Sequence, residues 1–308
     1  MAFAVIKEKI MKKSKILVPA LGILVLSTAA SITGTVAWFT AANSVDVSGA
    51  RMKAEVEQGI VIANETHAAA ADWNLTATAS HSGEVSSVQQ AFIPTSTADA
   101  ATFYHANSAH INNADASQAA ANYKSFTEAN AAAEGKYVVD ANGIATASIG
   151  SATKNIFLKN TFYVQSSNLS TIANQDLFIK DLEVTGSSSS IKLNYSLRMA
   201  VVCNSTVSIF HMFADDTAAD PDIIATKSYT VGGTTPVTTK DAITADTEVV
   251  ISGAAGLTIP AYTINSSTIQ IDTYLYFEGE DANCKSENIT ASMDTLAVSF
   301  KIGNKSHS

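Results

Sequence analysis

The sequence predicts an all-β fold, an antiparallel sandwich or jelly roll with one short helical, Ala-rich insertion, preceded by an N-terminal signal helix. Three observations lead there. Only 15% of residues are charged, and Ser, Thr and Asn supply the polar surface instead, a mixture that favours strands and turns over long surface helices. Apolar residues recur at period two in many short runs. Clusters of Gly, Pro and Ser separate those runs, as turns separate the strands of a sandwich.

The first element is a leader. Lys12, Lys13 and Lys15 precede an apolar run from Ile16 to Ile32, which gives way to Thr35-Val36-Ala37-Trp38-Phe39-Thr40. A basic flank, an apolar core and a small-residue exit make a secretory signal peptide over residues 1–37, with Met11 as the working start codon and cleavage after Ala37. The run is about 17 residues long and is broken by Pro19 and Gly22, marginal for a hydrocarbon layer of ~30 Å; a retained anchor is the alternative. Residues 38–308 then form one β-sandwich domain with an insertion at about 97–150. Val45 and Val47, then Met52, Ala54 and Val56, alternate as half-buried strands do, and Gly49 marks a bend between the two groups.

The insertion is set apart by alanine, as in Ala119-Ala120-Ala121 and Ala131-Ala132-Ala133. Alanine is the best helix former, so one or two short helices are expected between Asp115 and Glu134, the second ended by Gly135. From Asn155 the strand signal returns: Phe157 to Val164, Leu177 to Val184, and a run in which Ile191, Leu193, Tyr195, Leu197, Met199, Val201 and Cys203 share an apolar face. Lys192, Asn194, Ser196 and Arg198 lie opposite, facing water. Residues 215–247 are turn-rich. Strands follow at 247–252, 257–264, 268–278 and 295–302, with Ile269, Ile271, Thr273, Leu275 and Phe277 on one face and Leu296, Val298, Phe300 and Ile302 on another.

The chain carries 19 basic and 28 acidic residues, and removing the leader takes five lysines and one glutamate, leaving 14 against 27. An exported surface this acidic repels phosphate backbones, which argues against nucleic acid as a partner; the membrane is met only through the signal segment. The two cysteines, Cys203 and Cys284, allow one intramolecular bridge in an oxidising compartment. Closing a loop of about 80 residues, it would contribute on the order of 4 kcal/mol. Two buried thiols are the alternative.

No sequence motif for catalysis stands out: there is no His-Glu-x-x-His, no glycine-rich phosphate loop and no Gly-x-Ser-x-Gly turn. The chain is therefore read as non-enzymatic and without a resident cofactor. Calcium is the one metal considered, because Asp215, Asp216, Asp220 and Asp222 put hard oxygen ligands on a turn, though without the regular ligand alternation of a calcium loop. Glu278-Gly279-Glu280-Asp281 is a second acidic turn of the same kind.

The segment from Lys12-Lys13 through Gly34-Thr35-Val36-Ala37-Trp38-Phe39-Thr40 and on to Val45-Asp46-Val47-Ser48-Gly49-Ala50 resembles the export signals cut by SipW-type signal peptidases and the mature start of the TasA and camelysin-like family. Downstream, Phe157-Leu158-Lys159-Asn160, Tyr195 to Val201 and Tyr274 to Asp281 look like runs in large exported proteins of Gram-positive-type bacteria. The resemblance implies a secreted structural protein of the cell surface or extracellular biofilm matrix, a fibre subunit that homopolymerises by β-strand addition. Its donor strand would be Trp38 to Val47, anchored by Trp38, Phe39, Val45 and Val47. Camelysin-like proteins are classed as metalloproteases, an activity the absent zinc motif does not support. The rival readings are a surface adhesin or ligand-binding sandwich, an exported hydrolase, and a pilin that keeps its apolar helix.

Overall fold

A computed structural model describes residues 45–48, 51–57, 59–64, 72–80, 90–106, 123–185, 195–212, 239–240, 247–263, 267–279, 284, 293–294 and 296–308. Nineteen strands occur among them: β1 (Val45–Ser48), β2 (Arg51–Val56), β3 (Ile60–Ala63), β4 (Thr76–Ser80), β5 (Gln90–Phe92), β6 (Thr102–Ala106), β7 (Tyr123–Glu128), β8 (Lys136–Val139), β9 (Ile144–Ile149), β10 (Ala152–Ser166), β11 (Ile172–Thr185), β12 (Leu197–Cys203), β13 (Thr206–His211), β14 (Thr239–Lys240), β15 (Val249–Val250), β16 (Leu257–Ile259), β17 (Ile269–Phe277), β18 (Met293–Asp294) and β19 (Ala297–Ser306). They make two sheets. The larger has the path β14-β13-β12-β17-β10-β9-β8-β7-β6, with β1, β3, β5 and β18 attached off it; the smaller runs β15-β11-β19-β2-β4, with β16 also on β11.

The two sheets pack face to face, and the period-two runs of the sequence fill the space between them. Met52 and Ala54 of β2, Leu177 and Ile179 of β11 and Val298, Phe300 and Ile302 of β19 meet Leu158, Phe162 and Val164 of β10, alternate residues of β12, and Ile271, Leu275 and Phe277 of β17. The Phe162 and Phe300 rings meet edge-on across the sandwich at 6.0 Å. The all-β sandwich is thus the observed architecture. Most pairings are antiparallel, but β2 and β19 run parallel in register from Arg51↔Ala297 to Val56↔Ile302, so the first and last long strands lie side by side. Between Ser48 and Arg51 the chain changes sheets, since β1 belongs to the larger sheet and β2 to the smaller. That is where Gly49 marked a bend.

The segment from 97 to 150 corrects the expectation of helices. Tyr123–Glu128 is a strand, not a helical turn, and residues 129–135 form the loop that leads into β8; the Ala119-Ala120-Ala121 run lies outside the described residues. Packing of Phe126 in the second core favours the strand over local helix preference, while Ala131-Ala132-Ala133 lie exposed in the loop. Strands β9 to β6 extend the large sheet and curl back over it. The curl is sewn to the start by Ser96↔Tyr104 and Thr95↔Glu278, which returns the chain to the end of β17. This half-barrel encloses a second core of Phe103, Phe126, Tyr137, Phe157, Tyr274 and Tyr276, with Ala145 and Ala147 where the wall is close. Phe103 stacks on Phe157 at 4.1 Å and meets Tyr137 edge-on at 6.0 Å.

The half-barrel also changes the outer face of β12. Arg198 and Ser196, expected to face water, are both fully buried. Arg198 stands opposite Tyr276 on one side and His211 on the other, and its guanidinium donates to the carbonyls of Tyr195 and of Leu197. The stretch Ile191 to Asn194 and the signal segment 1–37 lie outside the described residues.

Candidate functional site

Among the described residues the pairing of the large sheet is interrupted beside β10. On one edge of β10, β17 pairs continuously from Leu158 to Val164. On the other edge β9 pairs as far as Phe157, and β3 pairs from Tyr163 onward. Among the described residues no strand joins that second edge between Leu158 and Phe162. The Lys159 N–H donates to the Gly143 carbonyl at 2.7 Å, so odd-numbered backbone groups point this way, and Thr161 directs its N–H and C=O into the break.

Across the break lies the outer edge of β4, the last strand of the small sheet. The Val56 N–H donates to the Leu75 carbonyl, so Leu75, Ala77 and Ala79 bond to β2 while Thr76, Thr78 and Ser80 direct their backbone groups outward. The Asn64 amide donates to the Thr78 carbonyl at 2.8 Å, where a neighbouring strand would otherwise place an N–H. Between these two edges is a cleft of about 450 Å³, lined by Asn64, Thr78, Glu128, Asn142, Lys159 and Thr161 among others.

The cleft's polar groups are held in place. Lys159 Nζ lies 3.4 Å from Glu128 and 4.0 Å from Asp272, and sits 5.4 Å above the Tyr274 ring. The Thr161 hydroxyl donates to Asp272 at 2.6 Å. The Asp140 carboxylate accepts from the backbone N–H groups of Asn142 and Ile144, fixing the β8–β9 turn at the rim. Behind this layer, burial and then the nearby carboxylates push the Tyr274 and Tyr137 phenols far up, so both stay neutral. The arrangement offers fixed donors and acceptors and two strand edges, with one cation, Lys159, among the carboxylates of Glu128, Asp140 and Asp272.

A second polar group is buried. Glu278 accepts a hydrogen bond from the Ser96 hydroxyl, and its N–H donates to the Ser196 carbonyl at 2.7 Å. Beside it His105 donates from Nδ1 to the Pro94 carbonyl at 2.9 Å, and His211 donates from Nε2 to the Tyr195 carbonyl at 2.9 Å. Burial lowers the His105 pKa, with Lys124 adding to the effect. The Ser96–Glu278 bond and the Thr95 N–H, which donates to the Phe277 carbonyl at 2.9 Å, fasten the 94–96 segment to the end of β17. Glu278, expected on a solvated acidic turn, is instead fully enclosed.

The sequence-predicted residues fall as follows. Val45 and Val47 lie in β1, which pairs antiparallel with β5 (Val45↔Phe92, Val47↔Gln90) and parallel with β18 (Val47↔Met293). Trp38, Phe39, Asp215, Asp216, Asp220 and Asp222 lie outside the described residues, and among the described ones no grouping of metal ligands is found. Of the two alternatives for Cys203 and Cys284, a bridge or two buried thiols, the structure has the second: the sulfurs are unbridged and buried. Cys203 stands opposite Ile271 at one end of β17, while the chain leading to Cys284 leaves from the other end, beyond Phe277. Both sulfurs serve instead as small apolar groups of the sandwich core. No family model, curated protein or solved structure matches this chain.

Sequence reasoning missed the cleft altogether. Its residues are ordinary loop and strand positions, and what unites them is the premature end of β9 against β10. The one local signal is the Asp140-Ala141-Asn142-Gly143 turn, which ends a strand pair early.

Proposed function

We propose that this chain is an exported, non-enzymatic structural subunit of the bacterial cell surface or extracellular matrix, which assembles with copies of itself through its N-terminal segment. The observation that carries the reading is the placement of β1. Among the described residues it is a four-residue strand paired with two still shorter ones, β5 and β18, before the chain crosses into the other sheet. So small an element contributes little to its own subunit and can lend the chain ahead of it to a neighbour. The leader's resemblance to SipW-type signals supports export, and cleavage after Ala37 would release that leading segment.

A surface adhesin or ligand-binding module is the second reading, favoured by the fixed polar groups of the β4–β10 cleft. The test of export is the N-terminal residue of protein recovered outside the cell. It is expected to be Trp38; a start near Ile16, or an intact leader in the membrane fraction, overturns release by cleavage.

A further inference from the structure

We infer that the cleft between β4 and β10 is a saccharide site, and that the unit it takes is a neutral hexose carrying an acetamido group. The inference rests on the second reading above, the ligand-binding module, and adds to it the chemistry of the ligand.

The floor of the cleft holds polar groups that the chain leaves to be satisfied from outside. Asn160 lines the cleft and is only 5% exposed. Its Nδ2 donates to the Met52 sulfur, a weak acceptor, at 3.5 Å, and its Oδ1 accepts no hydrogen bond from a described residue. Beside it the Thr161 N–H and C=O point into the cleft with no described strand to receive them. A buried amide oxygen without a donor is costly, so a ligand that supplies one recovers that cost on binding.

What remains of the strand edges is too little for a peptide. The Lys159 N–H is taken by the Gly143 carbonyl and the Thr78 carbonyl by the Asn64 amide, so an extended chain would find one residue of ladder on β10. One backbone N–H and C=O with an amide oxygen next to them match a single amide flanked by hydroxyls. The carbonyl of an acetamido group accepts from the Thr161 N–H, and its N–H and the adjoining ring hydroxyls donate to the Thr161 C=O and to Asn160 Oδ1. Among the described lining residues only Val139 and Ala141 carry apolar side chains, enough for one methyl group rather than for a hydrophobic ligand.

Charge sets the rest. Glu128, Asp140 and Asp272 outnumber Lys159, and the chain carries 28 acidic against 19 basic residues, so anionic sugars are repelled. Each of those carboxylates already has donors: Lys159 beside Glu128 and Asp272, the Thr161 hydroxyl on Asp272, and the N–H groups of Asn142 and Ile144 on Asp140. An ammonium group would have to compete with them, which leaves a neutral ligand. The cleft volume of about 450 Å³ falls within the ~300–1,000 Å³ of small-molecule pockets. No aromatic ring stands among the described lining residues, so hydrogen bonds hold the sugar and the expected Kd is on the order of 1 mM.

The probe is the trisaccharide of N-acetylglucosamine, titrated into mature protein, residues 38–308, with its de-N-acetylated form and trigalacturonate as the cationic and anionic controls. Saturation-transfer NMR reads the affinity and hydrogen–deuterium exchange reads the place; both work on monomers and filaments alike. The acetylated sugar is expected to bind saturably, at least about tenfold tighter than either control, and to slow exchange at Thr161 and over 139–143. Asn160→Leu, close to asparagine in volume and checked for folding by its urea midpoint, is expected to weaken binding about tenfold. Undiminished binding by the folded variant would overturn the inference, and if the variant does not fold, the exchange map of the wild type decides. Protection confined to another surface, or equal binding of all three sugars, would overturn this inference and leave the ligand-binding reading standing. Binding of none of the three would overturn both.

Discussion

The thiol of Cys203 lies in the sandwich core, and burial pushes its pKa up to about 12, so almost none of it is thiolate at neutral pH. Titration with a thiol reagent is therefore expected to find Cys203 unreactive in native protein and two thiols in unfolded, unreduced protein. Fewer than two would mean that the bridge forms after all. His105 illustrates a different consequence of burial. Its pKa is lowered in the folded chain, so between that value and the unfolded value of about 6.5 the unfolded state binds more protons. The stability it permits is fully present above about pH 6.5 and falls as the pH drops through that window, by at most about 1.4 kcal/mol per pH unit. His105→Asn keeps a donor for the Pro94 carbonyl and removes the titration. Its urea midpoint is expected to vary less than the wild type's between about pH 7 and about pH 5, a span that starts above the unfolded value of about 6.5 and descends into the window. Equal slopes for the two proteins would contradict the assignment. Neither residue's environment was legible beforehand. Cys203 read correctly as a member of an apolar face, but whether that face held a partner sulfur depends on where the chain runs after Phe277. Arg198 read as solvated because alternation reports two faces and cannot say that both are covered.

At the scale of elements, strands with strict alternation were readable to within a few residues. β17 and β19 buried the faces expected of them, with Leu275, Phe277, Phe300 and Ile302 in the core. Alternation is direct evidence there because each of those strands has one face against the opposite sheet. The alanine-rich segment was misread because composition weighed more than pattern: Tyr123 and Phe126, three apart, fit a helix turn, yet Phe126 is a strand residue packed in the half-barrel. Ala145 and Ala147 are small because the curled wall leaves no room, a constraint invisible until the curl is known. Phe103 is the centre of that aromatic cluster, touching Phe157, Tyr137, Tyr274 and Tyr276. Phe103→Ala is expected to cost about 3–5 kcal/mol in urea unfolding. A cost below about 1 kcal/mol, the range of a surface substitution, would mean that the half-barrel does not form a packed core. A close approach elsewhere follows the same logic: the Phe178 ring lies over Gly303 of the neighbouring strand, in the space a Cβ would occupy.

The whole molecule is organised by contacts between distant parts of the chain. β19 completes the small sheet between β11 and β2, so the final strand must arrive before the first long strand has both neighbours. β1 is peripheral by comparison, and the break beside β10 is left open by the described strands. Fold class could be read from alternation; at Gly49 the glycine suggested only a bend, and that the chain changes sheets there was not legible. The candidate site could not, because it is a gap between strands, and a gap has no residue pattern of its own. Assembly through the N-terminal segment is the central claim of the proposed function. Sedimentation and negative-stain imaging of residues 38–308 beside residues 49–308 test that claim most directly. The account predicts filaments from the longer chain and monodisperse, folded monomers from the shorter one. Monodisperse monomers from both, or filaments that survive the deletion, would contradict it.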